Sequence, residues 1–236
     1  MPKTPDSWLL KGLVLIHIAS FVYFVYMWFK APPFPQTLVI NLDSRPDKWF
    51  QMEADLTNWP SPPIRISAIK ATPGWKGCFM SHRKCIETAK RLKYPWVLIL
   101  EDDCQMAPDA VQRFTNLLPY LWHHQHKWDI FMGGMTSVSD VKLIDKYHAL
   151  FRAKGLTTHF CLIHKTAYDK LLKHMPADPA KLNDPVDVLY SNTFRLWTTY
   201  PFLATQRPSQ SDLEGKHTDY SDLFEIAGEH FQALLN

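Results

Sequence analysis

The run WVLIL, Trp96 to Leu100, constrains the fold more than any other feature of the chain. Five consecutive apolar residues mark a strand covered on both faces, and such strands belong to sheets sandwiched between helices. The run ends in three carboxylates, Glu101, Asp102 and Asp103. Adjacent carboxylates repel, and burial disfavours the charged form of each. Side chains alternate along an extended chain, which directs Glu101 and Asp103 to one side and Asp102 to the other. Carboxylate oxygens suit Mn²⁺ or Mg²⁺, and an ion held by few protein ligands has room for a diphosphate. The competing reading of an isolated acidic triplet is a solvated turn after a strand.

The same pattern recurs on either side. TLVINL (37–42) is an apolar, β-rich run, closed by Asp43, Ser44 and Pro46 and followed by a helix over Lys48 to Trp59. IRISAI (64–69) alternates and reads as a second strand. Cys78, His82, Cys85, Ile86, Ala89 and Leu92 share one face at helical spacing. Pro108 and Asp109 open another helix, continued by Val111, Phe114, Leu118 and Leu121. WDIFMGG (128–134) and THFCLIH (158–164) are further strands, the second leading into a helix through Ala167, Leu171 and Leu172. DVLYSN suggests one helical turn, RLWTTYPFLATQ (195–206) a late strand pair, and the segment after Gly215 a polar tail. Alternating strands and helices imply α/β layers around a mostly parallel sheet.

The N-terminus has a different composition. From Gly12 to Phe29 only His17 and Ser20 are clearly polar. As a helix this run is about 27 Å long, close to the thickness of a hydrocarbon core. Trp8, Tyr23, Tyr26 and Trp28 suit an aromatic belt. The expected organisation is a membrane anchor over 1–30, a Pro-rich linker over 31–36 and a folded domain over 37–236. A signal peptide and a buried core helix are the rival readings, although no small-residue cleavage site follows the run. Lys3 and Lys11 before the run and Lys30 after it lean toward an inside N-terminus and leave the membrane face open.

Among 236 residues, 46% are hydrophobic and 21% charged, which fits a folded core. A formal net charge of +3, with no block of Lys or Arg, argues against nucleic acid as a partner. Cys78, Cys85, Cys104 and Cys161 form no CxxC motif, and no Cys/His pair stands at zinc spacing, so buried neutral thiols are expected.

Six segments then occur in order: VINLDSRPDKW (39–49), RISAIKA (65–71), GCFMSH (77–82), LILEDDC (98–104), THFCLIHKTAYDKLL (158–172) and PFLATQRPSQSDLEG (201–215). The series resembles glycosyltransferase family 25, which includes lipooligosaccharide and collagen galactosyltransferases. The chain departs from the pattern at Trp75-Lys76, in the short stretch before GCFMSH, and around DVLY. The resemblance implies a GT-A-like, Rossmann-type mixed sheet flanked by helices. It also implies inverting transfer of a hexose, often galactose, from a UDP-sugar to a glycan, lipid-linked or protein acceptor.

In such an enzyme a metal at Glu101 and Asp103, Mn²⁺ or Mg²⁺, would bridge the diphosphate: Asp103 is the expected direct ligand, Glu101 contacts the metal, its waters or the donor ribose, and Asp102 orients the others. Asn41, Leu42 and Arg45 border the nucleotide, with Ala68 near the base; Arg45 has a surface ion pair as its alternative. Gly77, Ser81 and His82 open a helix whose N-terminus favours phosphate, Gly77 permitting close backbone approach. A satisfied core histidine is the other reading of His82. Asp187 is the first candidate for the base and Asp212 the second; a helix-capping role competes for Asp187, and a turn or a metal-side contact for Asp212. Trp197, Tyr200 and Phe202 either stack on a sugar or pack in the core. A glycosyltransferase-like binding protein without catalysis is the alternative function. A metal-dependent nucleotidyltransferase or phosphohydrolase fits less well, for want of a second set of metal carboxylates.

Overall fold

The computed structural model describes residues 11–18, 20, 32–210, 215 and 217–236. Most of the expected membrane anchor therefore lies outside the described residues, as does Asp212. Residues 11–18 are helical, and among the described residues no helix is long and apolar enough to cross a membrane. The chain divides into two compact units at Pro33, and the fold below is that of Phe34–Asn236.

The first half alternates as the sequence implies: β1 (Gln36–Asn41), α1 (Pro46–Asp55), β2 (Ile64–Ser67), α2 (Gly74–Arg91), β3 (Trp96–Glu101), β4 (Cys104–Met106) and α3 (Ala110–His123). Then come β5 (Ile130–Met132), β6 (Thr136–Asp145), β7 (Leu150–Leu156), β8 (Phe160–His164) and α4 (Lys165–His174). A 3₁₀ turn (Pro179–Lys181), α5 (Val186–Thr193), β9 (Leu196–Thr199), β10 (Ala204–Gln206), β11 (Ser209–Gln210), β12 (His217–Thr218) and α6 (Ser221–Leu235) complete the unit.

Among the described residues the main sheet has eight strands in the order β2-β1-β3-β8-β5-β9-β7-β6. β1 runs parallel to both β2 and β3, and β5 runs parallel to β9. β8 runs antiparallel to both of its neighbours, β3 and β5. The sheet is therefore mixed rather than mostly parallel. Two small sheets, β4 with β10 and β11 with β12, stand apart from it.

Burial explains why WVLIL is apolar throughout. Val97 and Ile99 enter a core with Phe79, Cys85, Ile86 and Ala89 of α2, while Trp96, Leu98 and Leu100 enter a second core with Phe114, Leu117, Leu118 and Leu121 of α3. All five strand residues are fully buried. The second core is aromatic at its centre. Phe114 stacks on Trp59 at 5.9 Å and meets Phe34 and Phe160 edge-on at 5.7 and 5.2 Å. Phe34, assigned to the linker from sequence, is thus a packing residue of this unit.

Other expectations are corrected. The segment 195–206 is not a strand pair: β9 joins the main sheet, whereas β10 pairs antiparallel with β4, so the cis Tyr200-Pro201 turn divides two sheets. Residues 186–193 form an eight-residue helix rather than one turn, and the tail ends in α6. The β6–β7 hairpin has no counterpart among the expected strands. Its outer strand is mostly polar and part-exposed, with register shifts along the pairing that break strict alternation. α6 covers the aromatic positions of this half, with Phe231 against Phe151 at 5.0 Å and stacked on Tyr200 at 6.0 Å. Trp197 and Phe202 are buried and Tyr200 lies in this packing, so the core alternative describes all three.

Phe114→Ala removes a fully buried ring shared by four aromatic neighbours. It is expected to cost about 3–5 kcal/mol, read as a fall in the urea midpoint with an unchanged slope.

Candidate active site

A cavity of about 550 Å³ opens beyond the carboxyl ends of the three parallel strands. Asn41 and Leu42 line it from the end of β1, residues 68–74 from the exit of β2, and Glu101, Asp102 and Asp103 from the end of β3. Lys48, Cys78, Ser81 and Gly215 complete much of the wall. Open α/β sheets bind ligands in this position, because the strand-to-helix connections leave a crevice there.

The three carboxylates avoid one another by taking separate partners. A Glu101 oxygen accepts from the Thr158 hydroxyl at 2.6 Å and lies 3.0 Å from His82 Nε2, so the residue is bound toward α2 and the start of β8. Burial raises its pKa, but the His82 and Thr158 bonds outweigh burial and hold it below the usual value. Asp102 turns the other way, accepting from the Asn41 amide at 2.7 Å and pairing with Lys48 Nζ at 3.5 Å. Burial nonetheless raises it, against the pull of Lys48 and Asn41. Asp103 is held by its backbone, whose carbonyl accepts from Arg207 N–H at 2.7 Å, and by a side-chain hydrogen bond with Gln206. Its Oδ1 is buried with no hydrogen-bond partner. Burial, then the charges of Glu101 and Asp102, push its carboxyl up to about 7.

The remaining candidates divide. Asn41, Leu42, Ala68, Ser81 and Asp102 line the cavity. The Asn41 amide is nevertheless committed: it donates to Arg45 O at 2.9 Å as well as to Asp102, and its oxygen accepts from Arg65 Nε at 2.8 Å. Ser81 is likewise engaged, donating to Gly77 O and accepting from Ile69 N–H. Arg45 pairs with Asp47 at 2.8 Å, its surface alternative, and is not among the lining residues. Gly77 permits a close approach, but to the chain itself, since a Cβ would stand 2.2 Å from the Ile69 carbonyl oxygen. His82 is fully buried against Glu101 and Tyr190, so a direct nucleotide contact gives way to a supporting role.

Asp187 is in the first turn of α5 but does not cap it; Pro185 occupies the N-cap. Its carboxylate accepts from Val188 N–H at 2.8 Å and from Thr157 N–H at 3.4 Å, and its charge reaches Cys78 beside Glu101. Thr157 has φ +77°, a strained conformation for a β-branched residue, and the next residue supplies the hydroxyl to Glu101. Lys48, Thr158 and Cys78 were not assigned roles from sequence. Lys48 looks like a solvent-facing helix lysine, and only the fold brings its side chain, 8% exposed, against Asp102.

The molecule is thus an α/β protein with an acidic, lysine-bearing cavity at the carboxyl ends of its parallel strands. The model of glycosyltransferase family 25 (LPS biosynthesis protein) matches residues 64–177, from β2 to just past α4. No curated protein matches the chain. Among solved structures, a Bacillus anthracis protein described as a glucose-1-phosphate thymidylyltransferase in complex with sucrose is 9% identical, with a TM-score of 0.39 over 84% of this chain and 75% of that one. A mannose-1-phosphate geranyltransferase from Thermus thermophilus is 11% identical, with a TM-score of 0.30 over 84% of this chain and 48% of that one.

Asp103 generates a pH prediction. Folded, its carboxyl keeps a proton up to about pH 7; unfolded, it loses it near 3.8. Between those values the folded state holds more protons, so the residue's contribution to stability falls as pH rises from about 4 to 7 and stays low above it. In chelator, Asp103→Asn should have a higher urea midpoint than the wild type at pH 8, with the two converging near pH 4.

Proposed function

We propose that the chain is a membrane-anchored, metal-dependent, inverting glycosyltransferase. It moves a hexose, galactose by family resemblance, from a UDP-sugar to a hydroxyl on a glycan, lipid-linked or protein acceptor. The observation that carries this reading is the row Glu101-Asp102-Asp103 on the wall of a 550 Å³ cavity, within a segment that matches family 25.

Leu42, Ala68 and the β2 exit form the nucleotide wall, and Lys48 supplies a cation near the diphosphate. Asn41 and Lys48 orient Asp102. Glu101 and Asp103 hold Mn²⁺ or Mg²⁺; the partnerless Oδ1 and raised pKa of Asp103 mark a carboxylate that a cation would relieve. Bound there, the ion offsets the negative charge that develops on the departing UDP. Asp187, steadied by two backbone N–H groups, takes the proton from the acceptor hydroxyl. Asp212 is the second candidate for that task. The apolar run Gly12–Phe29 attaches the chain to a membrane, on its length and composition.

The test is thermal unfolding of the full chain in detergent with a panel of nucleotide sugars, with and without Mn²⁺, alongside a transfer assay. A ligand that binds only the native state raises the melting temperature. The expected result is a Mn²⁺-dependent rise, largest with UDP-galactose, lost together with transfer in Asp103→Ala. Asp187→Asn should keep the rise while transfer falls about 10²–10⁴-fold. A folded sample that responds to no nucleotide sugar would sink the enzyme reading in favour of the non-catalytic one.

A further inference from the structure

Helix α2 places Cys78 and His82 four residues apart, on one face and a turn from each other. β3 delivers Glu101 against them. The Cys78 Sγ, the His82 Nε2 and a Glu101 carboxylate oxygen all lie within 4.8 Å of one another. His82 Nε2 stands 3.0 Å and Cys78 Sγ 4.0 Å from Glu101 Oε1. A tetrahedral ion with bonds of about 2.0–2.3 Å separates its ligand atoms by about 3–4 Å, so the three donors need little movement to close on one cation. The expectation that no Cys/His pair stands at zinc spacing is corrected here: Cys78 and His82 are at i, i+4 on one helix, and the third donor comes from a strand that starts after the helix has ended.

We propose that Cys78, His82 and Glu101 form a second cation site of soft character, taken by Zn²⁺ in preference to Mn²⁺ or Mg²⁺. Thiolate and imidazole favour zinc, whereas the acidic row offers only oxygen to harder ions. Three protein donors leave a fourth position, and Cys78 and Glu101 both line the cavity, so that position opens toward the ligand space. On binding, the Cys78 thiol proton goes to solvent and the neutral imidazole moves its proton from Nε2 to Nδ1. Nδ1 has no hydrogen-bond partner. An imidazole without a group to anchor its second nitrogen suits a reversible site rather than a structural one. The consequence for activity rests on the glycosyltransferase reading: Glu101 is shared, so zinc withdraws it from the catalytic ion and inhibits. The binding itself does not depend on that reading.

The full chain in detergent is titrated with Co²⁺ without nucleotide. One equivalent should produce a near-ultraviolet thiolate-to-cobalt charge-transfer band, removed by Zn²⁺ and absent in a Cys78→Ser variant that retains wild-type near-ultraviolet circular dichroism. No band in the wild type, or a band that survives in Cys78→Ser, overturns the site. As a check independent of any variant, wild-type chain is alkylated with iodoacetamide and the label mapped by mass spectrometry. Zn²⁺ should slow labelling of Cys78, and equal labelling with and without Zn²⁺ counts against the proposal. A chain that gives the band with Co²⁺ but, with Mn²⁺ alone, neither responds to any nucleotide sugar nor transfers one supports the cation site and removes the glycosyltransferase reading; transfer with Mn²⁺ alone and no band with Co²⁺ does the reverse.

Discussion

The carboxylate of Glu101 is the joint on which this structure turns. One oxygen meets Thr158 and His82, so a single side chain ties the end of β3 to the start of β8 and to the buried face of α2. Replacing it would leave a fully buried imidazole and a buried hydroxyl without their partner, and buried polar groups without partners cost far more than the bond itself contributes. Asp102 does the corresponding work on the other flank, drawing Asn41 and Lys48 toward β3. The three-carboxylate row is tolerated because two of its members are spread onto opposite supports. Only Asp103 bears the burial without a side-chain bond to its Oδ1.

How much of this was legible depended on whether the relevant contacts are local. The buried strand Trp96–Leu100 announced itself, because covering both faces of a strand forces an apolar run whatever the rest of the fold. The α2 face from Cys78 to Ala89 was equally plain from its period. The direction of β8 was not, since a run such as FCLIH packs alike whether its neighbours run parallel or antiparallel. The β6–β7 hairpin escaped because its exposed outer strand is written in polar residues. At the site, the triplet Glu101-Asp102-Asp103 could be singled out in advance, but its division of labour could not. Lys48 and Thr158 reach the carboxylates from 54 and 57 positions away along the chain, and nothing in their local sequence marks them. The alternation rule foresaw Asp102 diverging from Glu101, while the partners that enforce it became visible only in the fold.

The reversed strand has a consequence for how such a cavity can change over time. β3 ends where β8 begins: Leu100 is registered with Phe160, and Glu101 N–H donates to His159 O at 3.1 Å. The two segments that meet there hang from opposite strand termini, and the β2 exit (68–74) and the β8 entry (157–159) share no backbone pairing. Each can lengthen, shorten or be rewritten without shifting the register of the other. A lineage built on this frame could therefore exchange one rim of its pocket for another while the acidic floor between them stayed as it was.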